Sequence, residues 1–230
     1  MTKRTAQTVR ARAHRDATVG VAVDVVPLAV TDGKLHAALV PVTSGRERGR
    51  LAFPGGRVRE SESLDDAAAR WLEHHLPRSG AHVEQLYTFG EPGRDPASRV
   101  VSVAYLALLA QPMEAPGISW HPCDALPRLA YDHATIARVA IERLRGKLAY
   151  TNLAFALIGR TFTLAELQQV YEAVLGRPLD RRNFRKRMLA LGLLTPLAQT
   201  RHGAHRPARL YRFAVRRPID LAMAGERAHG

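Results

Sequence analysis

The sequence predicts an α+β protein in which a sandwich of mixed strands and helices precedes a winged helix-turn-helix domain. Three observations predict this fold class. From Val19, apolar runs alternate with turn residues, and helical segments arrive singly between them. After about Tyr150, short helical segments are followed by two strand-like runs, which is the order of a winged helix. The excess of basic residues is concentrated in that second part, which indicates two modules with different partners.

The first part begins with a predicted β-hairpin, in which a Thr-Asp-Gly turn joins VGVAVDVVPLAV to KLHAALVPV. A polar loop and the short strand LAF come next, and a helix is expected from about Leu64 to Leu76. The loop GEPGRDPAS separates two further predicted strands, VEQLYTF and RVVSVAYLALL. The proline-rich segment QPMEAPGISWHPCDALPRL is expected to be an ordered loop.

Asp132 is expected to be the N-cap of a second long helix, because a helical period of apolar residues starts at Ile136 and continues toward Leu148. Leu153, Ala156 and Leu157 predict one short helix after it.

The basic end has its own start and stop signals. Thr163 and Glu166 form the pattern of a capping box, and Gly176 is expected to end the helix that they begin. Asp180 is the predicted N-cap of the helix RRNFRKRMLALG, which Gly192 ends. Two predicted strands, LLTPLAQT and ARLYRFAV, follow with RHGAHRP between them, so this end of the chain predicts a winged helix.

The charge distribution predicts the domain organisation. Residues 1–16 carry five Lys or Arg and one acid, a net charge of +4, whereas residues 17–150 carry 15 of each sign. Residues 151–230 carry 14 Lys or Arg and five acids, a net charge of +9. We therefore expect a basic N-terminal tail over 1–16, a neutral domain over 17–147, a basic DNA-binding domain over 148–216 and a C-terminal tail over 217–230.

Composition also limits the cellular setting. The lone cysteine, Cys123, excludes an intramolecular disulfide framework and fits a reducing cytoplasm. No apolar run approaches the ~20 residues that a membrane helix needs, and the basic N-terminus has no apolar core behind it, so neither a membrane partner nor a secretory signal is expected. These features predict a cytoplasmic protein.

The helix that Asp180 begins is the predicted DNA reader. Phe184, Met188 and Leu191 share its inward face, which places Arg182 and Lys186 nearly opposite. Arg recognises guanine, Asn recognises adenine, and Lys neutralises phosphate. The alternatives are a helical bundle for protein contacts and an RNA-binding regulator, but no aromatic stacking platform is evident for RNA. The candidate DNA-binding residues on this helix and on the wing are Arg181, Arg182, Asn183, Arg185, Lys186, Arg201, His205, Arg206 and Arg209. His202, on the same wing tip, is expected to offer a further contact to the DNA backbone or minor groove.

The stretch GGRVRESESLDDAAARWLEHH, from Gly55 to His75, resembles the Nudix box of the Nudix hydrolases. Gly56, Glu62, Arg70 and Leu72 match the box in register. Its three glutamates after the arginine, which hold Mg²⁺ in the family, are replaced here by Trp71, His74 and His75. Magnesium prefers oxygen ligands, so the resemblance predicts a domain without catalytic residues and without a metal.

A zinc site at His74 and His75 is a second interpretation of this stretch. Adjacent helical residues point in different directions and are poorly placed to chelate one ion. The sequence has no cluster of Cys and His with the spacing of a zinc site. We therefore expect these histidines to line a pocket or to face solvent.

Together with LYTFGEPGRDPASRVVSVAYLALL, LDRRNF and RPARLYRF, the box makes the chain similar to the Nudix-related transcriptional regulators (NrtR-like) from about Thr18 to Phe213. This resemblance implies a Nudix α/β/α sandwich with a mixed sheet, fused to a winged helix-turn-helix domain. It implies a bacterial repressor that binds double-stranded DNA as a homodimer and senses ADP-ribose or a related metabolite, with genes of NAD metabolism as targets and no cofactor required. The operator would be a palindrome with half-sites ~34 Å apart or a multiple of that. The alternative function is an active Nudix hydrolase that carries a nucleic-acid-binding domain.

A diphosphate effector needs hydrogen-bond donors, and three arginines lie where the pocket is expected to open. These are Arg57 in the box loop and Arg94 and Arg99 around the GRDPASR loop, although each is equally well interpreted as a surface arginine. Asp95 is a candidate for a ribose hydroxyl or for pinning its loop, and Glu62 completes the predicted effector-binding set. In the family the box arginine orients its neighbours, so the resemblance implies a structural role for Arg70.

Overall fold

The structure is a computed structural model that describes residues 18–201 and 207–221. The first strands and the first helix are β1 (Gly20–Thr31), β2 (Lys34–Pro41), β3 (Leu51–Ala52), β4 (Gly55–Arg57) and α1 (Leu64–His75). They are followed by β5 (His82–Phe89), β6 (Val100–Leu109), β7 (Ser119–Pro122) and α2 (His133–Tyr150). A 3₁₀ helix (Leu153–Ala156) leads to α3 (Leu164–Leu175), α4 (Arg181–Ala190), β8 (Leu194–Arg201) and β9 (Ala208–Phe213).

The long strand β1 organises a mixed seven-stranded sheet with the order β3-β2-β1-β6-β5, in which β4 also pairs with β1 and β7 with β2. One edge of β1 runs parallel to β6, from Gly20 opposite Val100 to Ala29 opposite Leu109. The other edge is divided between β4 and β2, which are both antiparallel to it. Because β1 is longer than β2, its first half remains free to pair with the glycine-containing strand β4 and so brings the box loop onto the sheet.

Helices cover both faces of this sheet. Val23 and Val25 of β1 pack in one apolar cluster with Ala67 and Leu72 of α1. Alternate residues of the same strand, such as Val26, pack on the opposite face in a cluster that includes α2. Successive side chains of a strand point to opposite faces, so a strand that is apolar throughout is buried on both sides. The α/β/α sandwich with a mixed sheet is therefore confirmed.

The helix α2 links the sandwich to the basic end of the chain. It is continuous over 18 residues and crosses the expected boundary between 147 and 148. The cluster that contains its buried residues extends through the 3₁₀ helix and α3 to Phe213 of β9. The Arg145 guanidinium on α2 donates to the carbonyl of Val174 at the end of α3, at 2.8 Å. One apolar core thus joins the sheet, α2 and the winged helix.

The winged helix-turn-helix fold is confirmed. The Thr163 hydroxyl accepts from the Glu166 amide, and the Glu166 carboxylate accepts from the Thr163 amide, which completes the predicted capping box of α3. Gly176 ends α3 with φ of 68°, a left-handed conformation that favours glycine. The Asp180 side chain caps α4 by accepting from the Asn183 amide at 2.8 Å. The strands β8 and β9 pair antiparallel and form the wing.

Two short strands and one cap differ from the expectations. The segments expected to be loop contain β7 and β4, whose pairing with β2 and β1 compensates for weak local propensity. Asp132 precedes α2, but its carboxylate makes no capping bond and instead accepts from the Arg94 guanidinium. Asp132 therefore occupies the predicted N-cap position but makes no side-chain capping bond, because a charged partner forms a stronger hydrogen bond than a backbone amide does.

No helix in the described ranges combines the length and the apolar character that a membrane crossing requires.

Candidate functional site

An open cavity of about 660 Å³ lies where β1, the box loop and the start of α2 meet. The C-terminal end of α1 forms one wall with Trp71, His74 and His75. The loop after β5 contributes Arg94 and Asp95 to the lining. The cavity therefore touches the first residue of the helix that continues into the winged-helix core.

A charge network is buried at the base of this cavity. Asp24, the single charged residue of β1, accepts from the Ser102 hydroxyl at 2.6 Å and from the Arg94 guanidinium at 3.1 Å. The same guanidinium donates to both carboxylate oxygens of Asp132, at 2.9 and 2.7 Å. His133 Nε2 lies 3.5 Å from the other Asp24 oxygen. We call these residues (Asp24, Arg94, Ser102, Asp132 and His133) the buried charge network.

The network holds a negative charge in the protein interior. Burial alone would raise the pKa of Asp24, but His133, Ser102 and Arg94 together lower that pKa to about 2. The Phe53 amide donates to His133 Nδ1 at 2.9 Å, which makes Nδ1 an acceptor and leaves the ring proton on Nε2, facing Asp24. The start of α2 is thereby tied to the centre of the sheet.

The retained residues of the box hold the loop. The Arg70 guanidinium binds the Glu62 carboxylate with two bonds of 2.5 and 2.8 Å and donates to the Arg57 carbonyl at 3.3 Å. The Arg59 amide also donates to Glu62. Hydrogen bonds from Arg70 lower the pKa of Glu62 to about 2, so this carboxylate is ionised and fully engaged. The interpretation of Arg70 as a residue that orients its neighbours agrees with these contacts.

At the end of α1, Trp71, His74 and His75 form an aromatic cluster on the cavity wall. The Trp71 and His75 rings are stacked at 6.1 Å with an interplanar angle of 10°. The His74 ring meets the His75 ring edge-on at 4.6 Å. The Trp71 indole also packs so closely over Gly56 that a Cβ at Gly56 would lie 2.4 Å from the ring. Although the two histidines are adjacent in sequence, both line the same cavity.

The candidate effector residues divide into two groups. Arg57, Arg94 and Asp95 are in the cavity lining. The Arg57 guanidinium donates to the Ser98 hydroxyl at 2.7 Å, while the Asp95 carboxylate accepts from the Ala97 amide at 2.8 Å and so pins its own loop. Glu62 lies outside the lining in its ion pair with Arg70, and Arg99 also lies outside it, donating to the Glu91 and Val100 carbonyls.

Sequence reasoning did not identify Asp24, Ser102, Tyr131 and His133 as parts of this site. One signal was available, because Asp24 is a lone charge inside an otherwise apolar strand and a buried charge requires partners. His133 and Ser102 carry no comparable signal, since only the fold brings them to Asp24. Tyr131 has a positive φ of 53°, which for a residue other than glycine is uncommon.

The helix α4 presents a cationic surface. Phe184 and Met188 are buried, as expected, and Leu191 packs against the same core. Its outward cations in the candidate set are Arg181, Arg182, Arg185 and Lys186. In the part of the chain that the structure describes, none of these four makes an ion pair with an acid. The exposed α4 residues of the candidate set are Arg181, Arg182, Asn183, Arg185 and Lys186.

Of the four candidate DNA-binding residues on the wing, Arg201 and Arg209 lie among the residues that the structure describes. Arg201 at the end of β8 is ion-paired with Glu166 of the α3 capping box. Arg209 on β9 is exposed and donates to the Leu197 carbonyl at 3.3 Å. His205 and Arg206, like the basic tail 1–16, lie outside the described residues.

Comparison with known protein families finds two matches along the chain. Residues 18–144 match the NUDIX domain, and residues 154–213 match the NrtR DNA-binding winged helix domain. The chain is 32% identical over 203 residues to the ADPR responsive transcriptional repressor NtrR of Acinetobacter baylyi, with coverage of 84% of this chain and 81% of the relative.

Solved structures agree with these matches. NrtR of Shewanella oneidensis in complex with a 27mer DNA is 31% identical, has a TM-score of 0.74 and is similar over 84% of this chain and 93% of that chain. A MutT/nudix family protein of Enterococcus faecalis, at 24% identity and a TM-score of 0.67, shares the fold over 86% of this chain and 89% of its own.

Proposed function

Since the chain belongs to the NrtR-like family of Nudix-related transcriptional regulators, we propose that it is a DNA-binding transcriptional repressor whose Nudix domain senses ADP-ribose. Its relative in Acinetobacter baylyi carries the description ADPR responsive. ADP-ribose is the part of NAD that remains when nicotinamide is lost, which supports genes of NAD metabolism as the targets. The proposed setting is the bacterial cytoplasm.

The observation that carries the DNA-binding function is the outward face of α4. Buried Phe184 and Met188 fix the helix, while its cations face solvent without acidic partners among the described residues. Phosphate contacts by Arg and Lys provide affinity, and side chains that reach base edges provide specificity. We assign Arg182 and Asn183 to base contacts, and Arg181, Arg185 and Lys186 to phosphates or flanking bases.

We assign the wing residues Arg201, His205, Arg206 and Arg209 to the DNA backbone or minor groove. Arg201 requires a change of partner, because its guanidinium binds Glu166 in the free protein. A phosphate that replaces this exposed carboxylate would exchange one anion for another at small cost, since exposed ion pairs contribute ~0–1 kcal/mol. We further propose that two copies bind a palindromic operator, with one α4 in each half-site and half-sites ~34 Å apart or a multiple of that.

The Nudix domain is proposed to bind the nucleotide without hydrolysing it. A Nudix hydrolase would need Mg²⁺, but Trp71, His74 and His75 offer no carboxylate oxygen, and Glu62 is engaged by Arg70. The described residues contain no group of three or more His, Cys, Asp and Glu side chains placed to hold a metal ion. The residues present therefore do not fit a magnesium site.

In the cavity, Arg57 is the proposed donor to the diphosphate of the effector, because its charge has no carboxylate partner among the described residues. Arg94 and Asp95 are proposed to shape the wall and to respond to the ligand, since both already have protein partners. Glu62 and Arg99 are proposed to act on the effector only by holding the surrounding loops.

Communication between the two sites is proposed to run through α2. Its first residue belongs to the buried charge network, and its last turns belong to the winged-helix core. The Arg187 guanidinium of α4 donates to the Ala149 carbonyl near the end of α2, at 3.3 Å. A ligand that draws Arg94 away from Asp132 would displace the start of α2, and it would shift the population toward a conformation with lower affinity for the operator.

Two measurements test this function and its alternative. The full chain should bind a duplex that it selects from a randomised pool, and ADP-ribose should release it, as followed by fluorescence anisotropy. Incubation with Mg²⁺ and ADP-ribose should yield no AMP. Turnover to AMP would favour the alternative, a Nudix hydrolase with a nucleic-acid-binding domain.

A further inference from the structure

We propose that the aromatic cluster at the end of α1, together with Arg57, binds the diphosphate of the effector directly and without a divalent cation. This inference rests on the proposed function, because it concerns how the same cavity holds its ligand. The observation behind it is the disagreement between the fold, which implies a metal, and the side chains, which replace the metal ligands with rings that line the cavity.

Glu62 and Glu73, the two glutamates nearest the substituted metal positions in the box pattern, are engaged elsewhere. Glu62 is held by the Arg70 guanidinium and by the Arg59 amide. Glu73, the acid between the substituted positions, is exposed and accepts from the Arg78 amide at 3.1 Å, beyond the end of α1. No acidic side chain between Gly55 and His75 is in the cavity lining, so a cation that entered there would meet no carboxylate of the box.

The retained box residues instead order the aromatic cluster. The ion pair with Glu62 holds the Arg70 guanidinium 4.9 Å from the centre of the Trp71 ring. Trp71 in turn stacks on His75, and His75 meets His74 edge-on. Each ring therefore has a neighbour that restricts its rotation, and the two imidazoles are presented to the cavity in a defined arrangement before any ligand arrives.

The aromatic cluster offers the hydrogen-bond donors that an anionic ligand requires. His74 is exposed and His75 half-buried, and in the described ranges no protein group forms a hydrogen bond with either imidazole. The Trp71 indole Nε1 is a buried N–H that likewise has no partner there. Imidazole, indole and guanidinium groups all donate hydrogen bonds, and a diphosphate provides only acceptors.

The aspartates around the cavity already have protein partners, so their charges permit an anion to bind at the wall that the aromatic cluster forms. Asp24 and Asp132 are matched by Arg94, with His133 as a further partner of Asp24. Asp95 accepts from its own loop. Where a hydrolase uses a cation to bring carboxylates and diphosphate together, this cavity presents neutral or cationic donors, so no bridging ion is needed.

The test measures the affinity of the full chain for ADP-ribose by isothermal titration calorimetry, in EDTA and in excess Mg²⁺. The wild type should bind equally in both, within about twofold. The double variant His74→Phe, His75→Phe keeps two aromatic rings but removes their nitrogens, and we expect its affinity to fall by at least roughly tenfold, the value of one hydrogen bond to a charged group.

Glu73→Gln is the matched control, because Glu73 immediately precedes the two histidines on the same helix and lies outside the cavity lining. We expect it to bind within about twofold of the wild type. A loss smaller than roughly tenfold in the double variant would overturn the proposal. If the phenylalanine pair fails to fold, as judged by its circular dichroism, His74→Ala with His75→Ala is measured against the same threshold.

The outcomes also separate this proposal from the proposed function. Binding that disappears in EDTA and returns with Mg²⁺ would overturn direct recognition while leaving ADP-ribose as the effector. A wild type that binds ADP-ribose under neither condition would refute the effector assignment itself, and the direct recognition with it.

Discussion

Replacing Arg94 with Met tests whether the buried charge network holds the start of α2. The Arg94 guanidinium lies 3.1 Å from Asp24 and 2.7 Å from Asp132. The side chains of Arg94 and Asp24 are only 5% and 8% exposed. Methionine retains an apolar stem of similar length but removes the charge and the donors, so the substitution leaves the buried Asp24 carboxylate without its arginine partner.

The structure sets the expected magnitude. Removing one partner of a buried ion pair costs about 3–5 kcal/mol, because the remaining charge is uncompensated. Asp24 would keep the Ser102 hydroxyl at 2.6 Å and His133 at 3.5 Å, so we expect the lower limit, about 3 kcal/mol of unfolding free energy. For a chain of this size that corresponds to a decrease in Tm of about 6–12 °C.

The assay is urea and thermal unfolding followed by circular dichroism at several pH values. In the wild type the pKa of Asp24 is lowered from 3.8 to about 2, so its stabilising contribution is present above pH 3.8 and is lost as the pH falls toward 2. That contribution is about 2 kcal/mol. Without Arg94 the pKa of Asp24 rises, so the gap between variant and wild type should narrow as the pH falls from about 5 to 3.

Arg99→Met is the control on the same loop, because Arg99 contacts only backbone carbonyls, at 3.3 and 3.4 Å. We expect this control to cost less than about 1 kcal/mol. The reasoning is refuted if Arg94→Met unfolds within about 1 kcal/mol of the wild type, or if the gap between them is independent of pH.

Three further variants and one deletion probe other parts of the chain. Thr163→Ala removes one half of the α3 capping box and should lower the free energy of unfolding by about 1 kcal/mol in urea. Gly56→Ala would place a Cβ 2.4 Å from the Trp71 ring, so ADP-ribose affinity and tryptophan fluorescence should both change. Arg182→Ala should cost about 1–3 kcal/mol on the selected duplex and less on random DNA, as measured by anisotropy. Deleting residues 1–16 should weaken DNA binding and flatten its salt dependence if this basic tail is a DNA arm.

Each of these expectations has an opposing result. An unchanged urea midpoint for the Thr163 variant would show that the cap is dispensable, and unaltered fluorescence for the Gly56 variant would show that the new Cβ does not displace the indole. If Arg182→Ala lowers the affinity for the selected duplex and for random DNA equally, Arg182 contacts only phosphates. An unaltered salt slope would assign the tail to another role.

The overall architecture was predictable because local signals agree with the tertiary fold. The strand β1 was recognisable as an apolar run that ends in a Thr-Asp-Gly turn, and α3 by its Thr163 cap and Gly176 stop. The two strands that were missed, β4 and β7, are short and contain Gly or Pro. They exist because longer strands provide partners, and a single segment does not reveal that.

The cavity was predictable only in part. The box pattern located Arg57 and the aromatic cluster, because these residues are consecutive with the motif. The buried charge network was not found, since Asp24, Arg94 and His133 are far apart in sequence and meet only through the sheet and α2. For the same reason Asp132 was interpreted as a local cap, although a distant arginine is its partner.

The central claim is that ADP-ribose in the Nudix cavity and DNA on α4 influence each other through α2, and reciprocal titration tests it most directly. The affinity for the selected duplex is measured by anisotropy with and without saturating ADP-ribose, and the affinity for ADP-ribose is measured with and without duplex. We predict that each ligand weakens the other by the same factor, about 5–150-fold, because coupling between two sites is reciprocal. A duplex affinity that saturating ADP-ribose leaves unchanged would contradict the claim.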